Sequence, residues 1–195
     1  FLTLWARAEA KEEPLLPAFV RFVIPVALWS MLIGVSLYTF TYLRASTFIE
    51  NLANSTGGRR VPAEVIARFE QYTGLTYQVD QQFGLTAARI DAQTTLSVFL
   101  SLCALLLILF LEPPVGWLAS YRPVSPDRRP AWLALGLIAL LVASLYIPAV
   151  ANYLGFLPPF GPTWRLILIS LAVWVLGLSI LWRKRWVDRL LKLAD

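Results

Sequence analysis

Histidine is absent from this sequence, cysteine occurs once, and charged residues fill only 15% of its 195 positions. Without histidine there is no imidazole to hold a metal or to shuttle protons near neutral pH. Cys103 cannot close an intrachain disulfide, and no zinc or iron–sulfur spacing exists. It sits inside an apolar run and reads as a small packing residue. There is no Walker loop, no catalytic triad and no Gly-rich dinucleotide fingerprint, and the acidic residues show no catalytic pairing. Nothing in this stretch points to hydrolysis carried out on its own.

Hydrophobicity takes the place of charge: 58% of the residues are apolar and the mean hydropathy is +0.64. Four apolar runs stand out, at 22–43, 92–111, 131–150 and 166–182. Each approaches the ~20 residues that carry a helix across a ~30 Å hydrocarbon core. The runs are continuously apolar, not alternating, which predicts helices and excludes a transmembrane barrel. The fold class expected is all-α: a polytopic bundle of four transmembrane helices, with a long extracytoplasmic loop that carries a short amphipathic helix.

The opening Phe1-Leu2-Thr3-Leu4-Trp5-Ala6 runs directly into charged residues and lacks the basic region that precedes a signal-peptide core. Residues 1–16 therefore read as the cytoplasmic end of a preceding transmembrane helix plus a linker, and the chain as a segment of a longer protein. The first span is expected over 17–43, with Pro25 kinking it or marking its first turns. The polar 44–85 loop follows, with Asn54-Ser55-Thr56-Gly57-Gly58 as a turn. Within it, Pro62 to Tyr72 forms a short helix with Val61, Val65, Phe69 and Tyr72 on one face and Gly74 as its stop. That helix is expected at the membrane surface or packed on the helix ends.

The second span covers 86–112, capped by Thr86 and stopped by Glu112-Pro113-Pro114. A 113–130 loop, a third span over 131–150, a 151–162 loop with the stiff Leu157-Pro158-Pro159 turn, a fourth span over 163–182 capped by Thr163, and a basic 183–195 tail complete the chain. The net charge of +5 gathers beside the apolar runs, so it sets topology and gives no sign of nucleic-acid binding. Lys and Arg near the N-terminal stretch, the 113–130 loop and the tail place both ends on the cytoplasmic side of a cytoplasmic membrane. Trp117, Trp132, Trp164, Trp182 and Trp186 fall at the expected interfaces.

Polar residues within the spans are few. Ser30 and Gly34 stand four apart on the first helix, with Tyr38 and Thr41 continuing that face; Gly136, Ala139 and Ala143 repeat the pattern on the third. Small residues at this spacing let helices approach closely, which assigns these five to helix packing. The second helix is the most polar, with Asp91, Thr94, Ser97 and Ser101 at helical spacing. Their oxygens could face a hard cation along an ion path or hydrogen-bond to neighbouring helices, and the sequence leaves both open. Asp91 and Glu112 lie at the ends of this helix and not at the bilayer centre, where an acid would mark function.

The order of these segments resembles the last four transmembrane helices, seven to ten, of cation-transporting P-type ATPases, closest to the bacterial members related to mycobacterial calcium-type pumps. The stretches that carry the resemblance are LLPAFVRFVIPVAL from Leu15, ARIDAQTTLSVFLSLCALLLILF from Ala88, YIPAVANYLGFLPPFGPTW from Tyr146 and WRKRW from Trp182. The resemblance covers nearly the whole chain and rests on mostly hydrophobic motifs. It implies a support region of an ATP-driven cation pump, bracing the transport helices, with the lipid bilayer, the transport helices and cytoplasmic domains of the parent, and the transported cation as partners. It implies no cofactor in this segment; ATP and Mg²⁺ belong to the parent's other domains, as does the phosphorylated aspartate. In calcium pumps the eighth helix lends an acid to the ion site, whereas this helix holds Ser97, Ser101 and Cys103 at its centre. That departure favours support over ligation. The alternatives are an independent small membrane protein serving as scaffold or subunit, and a channel, which the lack of any full-length polar stripe disfavours.

Overall fold

A computed structural model describes residues 15–55, 63–73, 83–116, 124–159 and 161–183. The apolar runs form helices because, away from water, each backbone N–H and C=O must find its partner within its own segment. In chain order the elements are α1 (Leu15–Ser55), α2 (Ala63–Thr73), α3 (Phe83–Leu111), α4 (Arg129–Tyr146), α5 (Pro148–Leu154) and α6 (Gly161–Arg183). Among the described residues four helices are long and apolar enough to cross a bilayer, over Phe22–Thr47, Leu85–Leu111, Arg129–Tyr146 and Gly161–Arg183. The chain is an all-α, multi-pass membrane protein.

α3 is the central helix. It packs against α1, α4 and α6, while α1 also packs against α6. Two apolar clusters result. One joins α1, α3 and α6 through Leu37, Phe99, Cys103, Phe110, Trp174, Leu178 and Trp182. The other joins α3, α4 and α6 through Val98, Leu102, Leu145 and Ile167. Aromatic rings lock the first cluster: Phe22 stacks on Trp182 at 5.4 Å, and Phe110 meets Trp182 edge-on at 5.1 Å. Cys103 is buried in this cluster, as a small packing residue would be.

The structure departs from the sequence expectations at several ends. α1 continues about three turns past Leu43, to Ser55. Loss of hydrophobicity does not end a helix; loss of helical geometry does, and no glycine or proline occurs between Leu43 and Asn54. Along the way the Thr47 hydroxyl donates to the Leu43 carbonyl at 2.9 Å and Ser46 to the same carbonyl at 3.0 Å, so these polar side chains fold back on the helix. At 41 residues α1 is about 60 Å long, twice the hydrocarbon thickness. Thr86 and Thr163 lie inside the first turns of α3 and α6, not ahead of them. Helical geometry already holds at Phe83–Leu85 and at Gly161–Pro162, and proline suits a first helical turn because its missing N–H is an orphan there.

The third apolar run is two helices. The chain turns extended at Ile147 (φ −92°, ψ 108°), and α5 restarts with Pro148 at its first position. α5 then ends on Gly155, whose φ of 67° is costly for any residue with a Cβ. The Phe156 amide donates to the Ala151 carbonyl at 2.8 Å and the Gly155 amide to Asn152 at 3.1 Å, which satisfies the orphan carbonyls in a Schellman arrangement. α2 packs on α5, so the α1–α3 and α4–α6 connections meet at one end of the bundle. The Val65, Phe69 and Tyr72 side chains, and Val61 and Gly74, lie outside the described residues. Trp182, expected at an interface, points into the bundle and is 8% exposed. Trp132 is 71% exposed, and Trp164 donates its Nε1–H to the Tyr146 hydroxyl at 2.7 Å. Trp117 and Trp186 lie outside the described residues, as do the 1–14 stretch and the 184–195 tail.

Candidate functional site

The residues with chemistry to offer gather on and around the first half of α3. Thr94 is fully enclosed at 1% exposure, and its Oγ1 accepts the Leu157 backbone N–H at 3.1 Å. That bond fastens the Leu157-Pro158-Pro159 turn to the central helix. The turn needs it: prolines supply no N–H, and Leu157, Pro158 and Pro159 are all buried. From the other side, Arg68 of α2 donates from Nη2 to the Pro158 carbonyl at 3.4 Å. The turn is thus held between α2 and α3.

Asp91 lies one helical turn ahead of Thr94 and Thr95. Its Oδ1 is buried and has no hydrogen-bond partner, and the charges acting on it are those of Arg44 on α1 and Arg68 on α2. Ser97 and Ser101 are half-buried further along α3. By helical phase they flank the outer face marked by exposed Gln93, Leu100, Ala104 and Leu111, and do not point toward the α1–α3–α6 core. The structure therefore does not bring Asp91, Thr94, Ser97 and Ser101 to one point: Thr94 is tied to a turn, Asp91 sits by the arginines, and the serines border the outer surface. Among the described residues no cluster of three or more His, Cys, Asp or Glu side chains offers a metal cradle.

On α1, Ser30 Oγ accepts the Nε1–H of fully buried Trp174 at 2.8 Å, a direct α1–α6 link. Gly34 is buried against α3, where a Cβ would lie 3.1 Å from Leu96 Cδ1. Gly136, Ala139 and Ala143 are exposed, and nothing lies within 4 Å of where a Gly136 Cβ would be.

Two features had no counterpart in the sequence reading, and a third was foreseen only in part. Gly177 on α6 receives the edge of the Trp29 indole so closely that a Cβ there would overlap the ring. Arg68 reaches a carbonyl 90 positions away. Thr41 and Thr95 are buried at 2% and 0% exposure with hydroxyls that have no partner. For Gly177, Arg68 and Thr95 the sequence signal was residue type alone, whereas Thr41 already stood on the face of Ser30 and Gly34.

A bundle of helices, four of them long and apolar enough to cross a bilayer among the described residues, defines a multi-pass membrane protein. Compared with protein-family models, with curated proteins and with solved structures, the chain matches none.

Proposed function

We propose that this chain is a membrane support region of an ATP-driven, cation-transporting P-type ATPase, bracing the transport helices of its parent. One observation carries the bracing role: three polar side chains of the bundle, Ser30, Thr94 and Arg68, each join one element to another. Ser30 with Trp174 ties α1 to α6, Thr94 with the Leu157 amide ties α3 to the α5–α6 turn, and Arg68 with Pro158 ties α2 to that turn. In a medium as apolar as the helices themselves, such bonds and close packing, not a hydrophobic drive, hold helices together. The pump assignment rests on the order of the segments and on the stretches quoted above. The proposed orientation puts both ends of the chain and the 113–130 loop in the cytoplasm of a bacterial cell and the α2–α5 end outside.

The test uses the full-length protein of the reading frame in its own membranes. Incubation with γ-labelled ATP should give an acid-stable, hydroxylamine-labile phosphoprotein, the signature of an aspartyl phosphate. In that protein Ser97→Ala and Ser101→Ala should shift the cation concentration for half-maximal phosphorylation by less than twofold. Absence of any phosphoprotein would remove the pump and leave an independent membrane scaffold or subunit. A tenfold shift from either serine would turn support into ion ligation.

A further inference from the structure

The outward face of α6 is an apolar stripe with an arginine at each end. Arg165, Ile169, Ala172, Leu176, Ile180 and Arg183 are all exposed. The two arginines stand 18 positions apart with no charged residue between them. That interval is five turns of about 3.6 residues, so both point the same way from the helix axis. At ~1.5 Å per residue they lie ~27 Å apart along it, close to the ~30 Å of a hydrocarbon core.

α4 gives the same measure independently. Arg129 opens it and Tyr146 closes it, with no charge between them and a rise of ~26 Å. Its outer leucines, Leu133, Leu135 and Leu140, are 61%, 61% and 65% exposed. A direct bond sets the two helices level at the α5 end, where Trp164 Nε1–H donates to the Tyr146 hydroxyl at 2.7 Å. Trp and Tyr favour the boundary between hydrocarbon and headgroups. Arg165 follows Trp164 directly and therefore stands at that boundary.

Arg165 makes no hydrogen bond or ion pair with another described residue, and the first turn of α6 holds no acid. A guanidinium keeps its charge and offers five N–H donors. At the edge of hydrocarbon those donors need acceptors. Cα–Cβ bonds tilt toward the N-terminus of a helix, so this side chain leans out of the apolar slab toward the headgroups. The anions at that level of a bilayer are lipid phosphates, which the guanidinium fork meets with paired N–H···O bonds.

We propose that Arg165 binds the phosphate of a phospholipid in the leaflet at the α2–α5 end, with the lipid's acyl chains lying along the apolar stripe of α6. Arg183 marks the opposite boundary, and the phosphate contact fixes the depth of α6 in the bilayer. This rests on the membrane class of the chain and not on the pump reading.

Two measurements on the full-length protein test it. Nitroxides are placed in turn at Ile169, Ala172, Leu176 and Ile180, with other cysteines replaced, in vesicles of phosphatidylcholine and phosphatidylglycerol. Their collisions with oxygen and with a water-soluble nickel chelate report depth. Depth should peak between 172 and 176, and positions 169 and 180 should agree to within about one residue's rise, ~1.5 Å. A depth that increases steadily from one end of the series to the other overturns the placement of Arg165 at the boundary. Native mass spectrometry then follows phosphatidylglycerol retained by the detergent-solubilised protein. Arg165→Gln should weaken retention about fivefold, the worth of one interfacial arginine. Dioleoylglycerol, which has acyl chains and no phosphate, should bind the wild type and Arg165→Gln equally. Unchanged phosphatidylglycerol retention in Arg165→Gln overturns the contact, as does an equal loss of dioleoylglycerol. Displacement of the lipid by millimolar inorganic phosphate would assign Arg165 to a free anion and overturn the lipid.

Discussion

Gly177→Ala adds a single methyl group where the structure leaves no room for one. A Cβ at this position would lie 2.5 Å from Cζ2 of Trp29 and in contact with Nε1 and Cε2 of the same ring. The three atoms belong to a rigid indole, so a rotamer change at its far end cannot relieve the overlap. Trp29 itself packs on the buried Leu37–Phe99–Trp174 cluster, which transmits the push to α3. Overpacking of this kind costs about 1–3 kcal/mol. For a chain of this size that lowers the unfolding midpoint by about 2–12 °C, taking ~2–4 °C per kcal/mol. The assay is the melting midpoint of the detergent-solubilised protein, followed by the loss of its monodisperse peak in size-exclusion chromatography after heating. Gly136→Ala is the matched control: nothing lies within 4 Å of a Cβ there, so its midpoint should hold or rise. Trp29→Phe trims the ring that the added methyl would strike. Adding Gly177→Ala to that variant should therefore cost less than in the wild type, with a coupling of about 0.5–3 kcal/mol. An unchanged midpoint for Gly177→Ala, or a penalty that persists undiminished in the Trp29→Phe background, would refute the groove.

Three further outcomes follow from the tethers. Ser30→Ala leaves the Nε1–H of a fully buried Trp174 unpaired and should cost about 1–2 kcal/mol, and a double-mutant cycle with Trp174→Phe should return a coupling of about 0.6–1.7 kcal/mol. Thr94→Val removes the acceptor for the buried Leu157 amide and should destabilise by about 1–3 kcal/mol in the same melting assay, whereas Thr94→Ser should stay within about 0.5 kcal/mol. Arg68→Gln loses the Pro158 contact and should speed limited chymotrypsin cleavage within α2 by about fivefold, the equivalent of ~1 kcal/mol of local stability.

The spanning helices were legible because bilayer thickness sets a length that sequence can be measured against. Asp-free, Lys-free runs near 20 residues have few other readings. The end of α3 at Leu111, just ahead of Pro113 and Pro114, was legible for the same kind of reason, since proline removes a specific hydrogen bond. α5 was not: seven residues carry too weak a helical signal by themselves, and α5 exists because it packs on α2 and α4. The orientation of Trp182 was not legible either, because enrichment at interfaces says where along a helix a tryptophan stands and not which way it faces. Gly136 and Gly177 show the limit most clearly. Both are single glycines in apolar helices, yet one faces open space and the other takes the edge of an indole. Only the partner helix distinguishes them. Thr94 is a similar case, since its role depends on an amide 63 positions away.

The same limit bears on how a polar stripe in a membrane helix is read. A helix that passes cations must leave its oxygens free to replace a hydration shell, and must align them along one open face. On α3 the four polar positions divide instead by environment. Thr94 is committed to a backbone amide, Ser97 and Ser101 flank the outer face, and Asp91 lies in the field of Arg44 and Arg68. Spacing at helical intervals made them one set; the neighbours of α3 make them three. An arrangement of that kind favours rigidity over passage. It ties the turn before α6 to the central helix and sets Trp182, near the α6 C-terminus, between stacked Phe22 and edge-on Phe110. Both ends of α6 are thereby fixed against α3, which is what a brace for moving helices elsewhere would require.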